Sequence, residues 1–296
     1  MQKITPFLWF NKEAREAALF YTTLFGGDSK VVMEHVMHDT PSGEVEVVGF
    51  TLWGFAINAM SAGPLFKPTP ALSISVQCKD EAEIDRLHAG LMDGGTELMP
   101  LQKYPWSEKY AWVNDKYGFS WQLNIPTEMP QNRIALSFLF VGKVCGKAEE
   151  AIAKYVSIFP DAKITLMAKH EEGAPGNDTP GTVKHAEFQL AGQTFMALDS
   201  AAEHKFSWTE AFSLVVDCKD QAEVDYYWEK LIEGGGAESV CGWLKDPYGV
   251  SWQVTPTRLT ELTMSADKEV AARATQAMLK MKKIDLAALE AAVAGG

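Results

Sequence analysis

Cysteine is scarce in this 296-residue sequence: Cys78, Cys145, Cys218 and Cys241 lie far apart, and none forms a CxxC pair. That excludes a disulfide-stapled scaffold and a zinc ribbon, and points to reduced thiols in the cytoplasm. Long apolar runs are missing too, none approaching the ~20 residues that span a bilayer. The opening "MQKITPFLWF" has no signal-peptide core or cleavage site. Basic residues are outnumbered, 27 against 39 acidic ones, for a net charge of −12. A nucleic-acid surface needs a basic stripe that this balance does not supply. There is no GxSxG, no helical HxxxH and no catalytic-cysteine signature. The expectation is a cytoplasmic protein with a small-molecule ligand, no nucleic-acid partner and no membrane partner.

What the sequence does contain is itself, twice. "DKYGFSWQL" (Asp115–Leu123) returns as "DPYGVSWQV" (Asp246–Val254), and "ALSISVQCKDEAEIDRL" (Ala71–Leu87) returns as "AFSLVVDCKDQAEVDYY" (Ala211–Tyr227). In the longer pair a strand runs through Cys-Lys-Asp into a helix. Asp80 with Glu83, and Asp220 with Glu223, carry the spacing of a capping box, so these acids read as caps. Each helix stops at a glycine pair, as a left-handed C-terminal cap requires. The front of each half repeats more loosely: "EAREAALFYTTLF" (Glu13–Phe25) with "KAEEAIAKYVSIF" (Lys147–Phe159), and "VGFTLWGFAINAM" (Val48–Met60) with "AEFQLAGQTFMAL" (Ala186–Leu198). The last two predict hairpins turning at Gly54 and Gly192.

The prolines of "NIPTEMPQN" (Asn124–Asn132) mark a boundary. Three regions follow: residues 1–128, residues 132–257 and a tail, 258–296. Within the tail, "DKEVAARATQAMLKMKKIDLAALEAAVAGG" predicts two helices, the second capped near Asp285. Lys280, Lys282 and Lys283 are expected in a last turn, where they suit the helix dipole. The tail reads as structural.

These repeats resemble the vicinal oxygen chelate superfamily of glyoxalases, bleomycin-resistance proteins and extradiol dioxygenases. Within it they are similar to the PhnB-like branch labelled 3-demethylubiquinone-9 3-methyltransferase. The likeness rests on "ITPFLWF", "FYTTLFGG" and "DKYGFSWQL" in the first half. In the second it rests on "FSWTEAFSLVVDCKDQAEVDYYWEKL", "CGWLKDPYGVSWQVTP" and "MLKMKKIDLAALEAA". The first half lacks a counterpart of Cys241-Gly242. The resemblance implies an α+β fold of tandem domains, each of two βαβββ modules, with curved mixed sheets forming a cup, helices outside and a helical tail. It also implies that the tandem halves stand in for a family homodimer.

The resemblance places metal ligands on up to four strands around the cup, the last just after the D-x-x-G turn, at Gln122 and Gln253. Strand alternation separates the same residues: Ser120, Gln122 and Asn124 share one face, and Trp121 the other. Gln253 and Trp252 divide likewise, which assigns tryptophan to the core and glutamine to the cup. The other family positions map to Ser73 and Ser213, to Asn58 and Met196, and to Thr5 or Pro6 and residues 135–137. Amides, hydroxyls and a thioether suit a transition metal poorly. His185, entering a hairpin strand, is a further cup candidate, and Asp199 is a turn residue or a polar group at the rim. The other histidines read as surface or satisfied groups, and Cys78 and Cys218 as packing residues.

Two functions follow. The first is a small-molecule-binding protein without a cofactor. The alternative is a lyase, isomerase or dioxygenase using zinc, manganese, nickel or iron. The methyltransferase label finds no support, because Gly26-Gly27 and Gly234–Gly236 follow helices instead of linking a strand to a helix.

Overall fold

The computed structural model describes residues 2–173 and 177–295. Four modules of the form βαβββ follow one another. The first holds β1 (Ile4–Phe10), α1 (Ala14–Phe25), β2 (Lys30–Thr40), β3 (Gly43–Leu52) and β4 (Phe55–Ser61). The second holds β5 (Leu72–Gln77), α2 (Glu81–Met92), β6 (Thr96–Tyr104), β7 (Ser107–Asn114) and β8 (Ser120–Asn124). The third holds β9 (Ile134–Val141), α3 (Ala148–Ile158), β10 (Lys163–Lys169), β11 (Val183–Leu190) and β12 (Gln193–Ser200). The fourth holds β13 (Phe212–Cys218), α4 (Gln221–Ile232), β14 (Ala237–Glu238), β15 (Trp243–Lys245) and β16 (Ser251–Pro256). Three tail helices complete the chain: α5 (Thr257–Thr263), α6 (Lys268–Met278) and α7 (Leu286–Ala294).

Local chemistry accounts for the elements. Ala14, Ala17, Ala18, Tyr21 and Phe25 form a buried stripe at helical spacing on α1, which stops at Gly26 with φ 63°. Asp80 and Asp220 each accept the backbone N–H three residues on, capping α2 and α4 as the sequence predicts. The hairpins turn through Trp53-Gly54 and Ala191-Gly192, all with positive φ, as a two-residue type I′ turn needs.

Modules do not pair within their own half. Residues 1–67 and 209–296 form one compact unit, and residues 68–208 form the other. The first unit has the eight-stranded sheet β14-β15-β16-β13-β1-β4-β3-β2, and the second has β10-β11-β12-β9-β5-β8-β7-β6. In each, the middle seam is antiparallel and joins the two halves: β1 to β13 in one sheet, β5 to β9 in the other. The strands beside the seam run parallel to it, so both sheets are mixed.

Helices cover one face of each sheet. Ile4, Leu8, Leu214, Val216 and Trp252 point to that side in the first unit, as Ile74, Trp121, Leu136 and Phe138 do in the second, and all are buried. Burying each large side chain contributes about 1.5–3 kcal/mol. The opposite face of the first sheet curls over itself. In a flat sheet β15 and β1, three strands apart, would stand about 14 Å from each other, yet the rings of Phe7 and Trp243 are 6.3 Å apart.

The tail holds that curl. α6 packs on edge strand β2, where the Gln276 Nε2 donates to the Asp39 carbonyl at 2.9 Å. A few residues on, Cys241 N donates to the Met281 carbonyl at 2.8 Å and Gly242 N to that of Lys282 at 2.7 Å, beside the other edge. Five residues reach at most ~18 Å, less than the ~29 Å that would separate β2 from β15 in a flat sheet. Gly242 has φ 82°, and a Cβ there would lie 3.0 Å from the Val254 carbonyl and 3.2 Å from Ile284 Cγ1. Cys241-Gly242 has no counterpart in the first half because it docks this tail. Two expectations are corrected. α5 continues directly from β16, adding a helix that the sequence reading missed. Lys280, Lys282 and Lys283 lie beyond the end of α6, and Lys282 and Lys283 pair with Glu238 and Asp225 instead of serving a helix dipole.

Candidate functional site

The repeated D-x-Y-G-x-S-W-Q segment is a clasp. Asp246 Oδ1 accepts from the backbone N–H groups of Tyr248 and Val250 at 2.9 and 3.0 Å, and Oδ2 accepts from Trp252 Nε1 at 2.9 Å. Asp115 does the same with Tyr117, Phe119 and Trp121. One carboxylate thereby closes the turn and draws the indole to the helix side, where both tryptophans are fully buried. Alternation then turns Gln253 and Gln122 to the other face, the cup face.

In the 1–67/209–296 unit this face gathers residues from both halves. Ser213, Phe7 and Asn58 stand in register on β13, β1 and β4. Gln253 Nε2 donates to Ser213 Oγ at 2.9 Å, which joins two of the candidate residues directly. Gly49 lies opposite Asn58, and a Cβ there would come within 3.3 Å of Asn58 Oδ1 and 3.4 Å of Met33, so the bare backbone leaves room for both. Aromatic rings surround this floor. Trp243 lies 6.3 Å from Phe7 and 6.4 Å from Trp9, edge to face, and Trp9 meets Phe66 at 5.0 Å. Trp9 Nε1 donates to the Gly63 carbonyl at 2.7 Å, which fixes the ring. Lys245, opposite Ser251, pairs with Glu210 at 2.7 Å. Asp217 alternates with Ser213 and Val215 on the same face, and burial pushes its carboxyl up to about 6.

The first-strand position falls on Phe7, which the sequence reading passed over. Pro6 turns to the helix side with Ile4 and Leu8, and Thr5 stands one row away, opposite Val215. Phe7, Trp9, Trp243 and Asp217 were the residues missed. Period-two alternation along "ITPFLWF" and "AFSLVVD" is the signal that finds all but Trp243.

In the 68–208 unit the corresponding row is Ser120, Ser73, Ser137 and Met196 on β8, β5, β9 and β12. Gln122 is one row on, opposite Trp112. Ser73 Oγ lies 3.0 Å from Ser120 Oγ, which accepts from Trp112 Nε1 at 2.7 Å. His185 shares this face near the sheet edge and pairs with Glu187 at 3.4 Å; that hydrogen bond holds the Glu187 carboxyl below its ordinary range. Asp199 does not join the cup. It is buried on the helix side, where Oδ1 accepts from Gly146 N at 2.6 Å and Ala148 N at 3.3 Å, and Oδ2 from Val183 N at 2.9 Å. It anchors the start of α3, neither a turn residue nor a rim group.

Neither row fits a transition metal. One offers a benzyl ring, a hydroxyl and two amides, the other hydroxyls, an amide and a thioether, where such ions take imidazole, carboxylate or thiolate. Among the described residues no group of three or more His, Cys, Asp or Glu is arranged to share an ion. Burial pushes the Cys78 and Cys218 thiols up to about 12, so both stay protonated packing groups.

The sequence matches the profile of the family described as 3-demethylubiquinone-9 3-methyltransferase twice, over residues 2–124 and 132–255. A PhnB protein from Bacillus cereus is 41% identical, with 42% of this chain and 99% of that one covered, at a TM-score of 0.39. Protein PA1353 from Pseudomonas aeruginosa is 26% identical over 43% of this chain and 98% of its own, at 0.38. Glyoxalase I from Zea mays shares 13% identity over 84% of this chain and 89% of its own, at a TM-score of 0.59, a likeness of fold. The comparison with curated proteins gave no match.

Proposed function

This chain belongs to the 3-demethylubiquinone-9 3-methyltransferase family, within the glyoxalase-like vicinal oxygen chelate fold, and from that premise we propose that it binds a small molecule without using a metal. The ligand of the 1–67/209–296 cup is a planar, largely apolar compound carrying a hydrogen-bonding group. The observation that carries this reading is the joined Gln253–Ser213 pair set among Phe7, Trp9 and Trp243. Ring-on-ring packing favours a flat ligand by about 0.5–1.5 kcal/mol per aromatic pair beyond the area buried. The Gln253 amide, able to donate and accept, supplies orientation.

Methyl transfer draws no support from the glycines, since Gly26-Gly27 and Gly234-Gly235 follow α1 and the end of α4 with positive φ. The four thiols are free, which suits the cytoplasm, and no helix among the described residues is long and apolar enough to cross a membrane.

The test is equilibrium dialysis of chelator-treated protein against aromatic metabolites and antibiotics, beside elemental analysis of untreated protein. Binding by the metal-free protein, weakened about tenfold or more in Trp243→Ala through lost apolar contact, is the expected outcome. Stoichiometric metal whose removal abolishes binding overturns the reading.

A further inference from the structure

We propose that the cup face of the 68–208 unit is a second, chemically different site, for an uncharged polyhydroxylated ligand the size of one sugar ring or cyclitol. It rests on reading the cups as ligand sites, but its chemistry is its own. Position by position, the apolar and charged groups of the first cup are replaced. Ser137 stands where Phe7 stands, Ser75 where Val215 stands, Gln77 where Asp217 stands and Asn114 where Lys245 stands.

The polar groups here are wired so that several ends stay unused. Gln77 Nε2 donates to Ser75 Oγ at 3.3 Å, and Asn124 Nδ2 donates to Gln77 Oε1 at 2.8 Å. The Asn124 and Asn114 Oδ1 atoms are buried without a hydrogen-bond partner among the described residues. The side chains of Gln122 and Ser137 make no hydrogen bond among them, although Ser137 is only 2% exposed. A buried polar group left unpaired is costly, so a polar ligand is strongly favoured here.

The unused set contains both donors, at Gln122 Nε2 and Ser137 Oγ, and acceptors, at the amide oxygens. A hydroxyl both donates and accepts and so matches this set. A carboxylate or phosphate would face lone pairs at Asn114 and Asn124, and an ammonium would leave the donors unanswered. Gln122 and Ser137 are carried by β8 and β9, two strand spacings apart and one row out of register, about 12 Å on the diagonal, a gap that the two side chains and one ring with its hydroxyls span together. Trp112 and Tyr110, opposite Gln122 and Asn124, offer ring faces for the apolar side of such a ligand. The Glu187 carboxylate on this face sits two strands beyond Ser137 and is hydrogen-bonded to His185.

The experiment uses the full chain, with glucose, galactose, mannose and myo-inositol as probes, by saturation-transfer NMR and titration calorimetry. At least one probe is expected to bind. Gln122→Ala and Ser137→Ala each weaken it about tenfold, the size of one lost hydrogen bond, and Trp243→Ala in the other cup does not. Gln122→Glu keeps the shape, adds a charge and weakens binding likewise, so a folding defect in the alanine variant cannot hide the result. Glucose 6-phosphate binds more weakly than glucose. No saturation transfer from any probe, with Trp243-dependent aromatic binding intact, overturns this inference alone. Loss of both kinds of binding overturns the reading of the cups as well. Polyol binding indifferent to Gln122 and Ser137 also overturns it.

Discussion

Asp217 shows how one side chain separates two otherwise similar strands. Its counterpart Gln77 is satisfied by Ser75 and Asn124, whereas burial raises the Asp217 carboxyl to about 6 against an ordinary 3.8. The folded chain therefore holds a proton there more tightly than the unfolded chain. Between about pH 4 and pH 6 the folded state binds more protons, so stability falls as pH rises through that window and is level above it. Asp217→Asn removes the ionisation. Urea unfolding is expected to find the variant more stable than the parent at pH 8, by up to about 3 kcal/mol, with the gap closing toward pH 4. A gap that is the same at both pH values would show that Asp217 ionises freely. Asp115 and Asp246 are carboxylates with fixed partners, each accepting three hydrogen bonds that close a turn and seat a tryptophan.

Among elements, the tail has the clearest consequence. Its helices share a small core of Leu259, Leu262, Ala274, Ile284 and Leu289, and α6 with the segment that follows it bridges β2 and the Cys241-Gly242 turn. Deleting residues 265–296 leaves two backbone N–H groups without acceptors and frees edge strand β2. Hydrogen exchange is expected to rise by about tenfold or more in β2 and residues 241–245, with β9 and β12 of the other unit unchanged. Unaltered exchange at β2 would show that the sheet holds its curl unaided. The other asymmetry lies in the second hairpin. β6 runs nine residues where β14 has two, and carries Tyr104 stacked on the exposed Trp106 at 5.0 Å.

For the whole molecule, the arrangement of modules decides what can fold alone. Residues 1–128 contain β1 and β5, but their seam partners β13 and β9 lie in the second half. A polypeptide of residues 1–128 exposes two buried apolar seams, and two copies can satisfy each other by pairing β1 with β5. Light scattering is expected to give a dimer or larger species, and a folded monomer with native-like exchange protection would contradict this. The tandem chain makes the same seams intramolecular, which raises the effective concentration of each pair.

Much followed from local pattern. Period-two alternation and the repeated clasp place Trp121 and Trp252 in the core and Gln122 and Gln253 on the opposite face. Capping spacing locates the starts of α2 and α4, because a cap is a contact between residues three apart. Donor chemistry, legible in the residue types alone, argues against a metal at Ser213 and Met196. Three matters depended on residues distant in the chain. That Ser213 and Gln253 share a sheet with Asn58 instead of Met196 follows from the β1–β13 seam, which no local pattern encodes. The turning of Asp199 toward α3 reflects backbone donors at Gly146, Ala148 and Val183, brought near only when the strands register. The contrast between an aromatic cup and a hydroxyl-and-amide cup emerged the same way. Each cup draws its rows from both halves, and strand pairing across more than a hundred residues is set by packing of the buried faces.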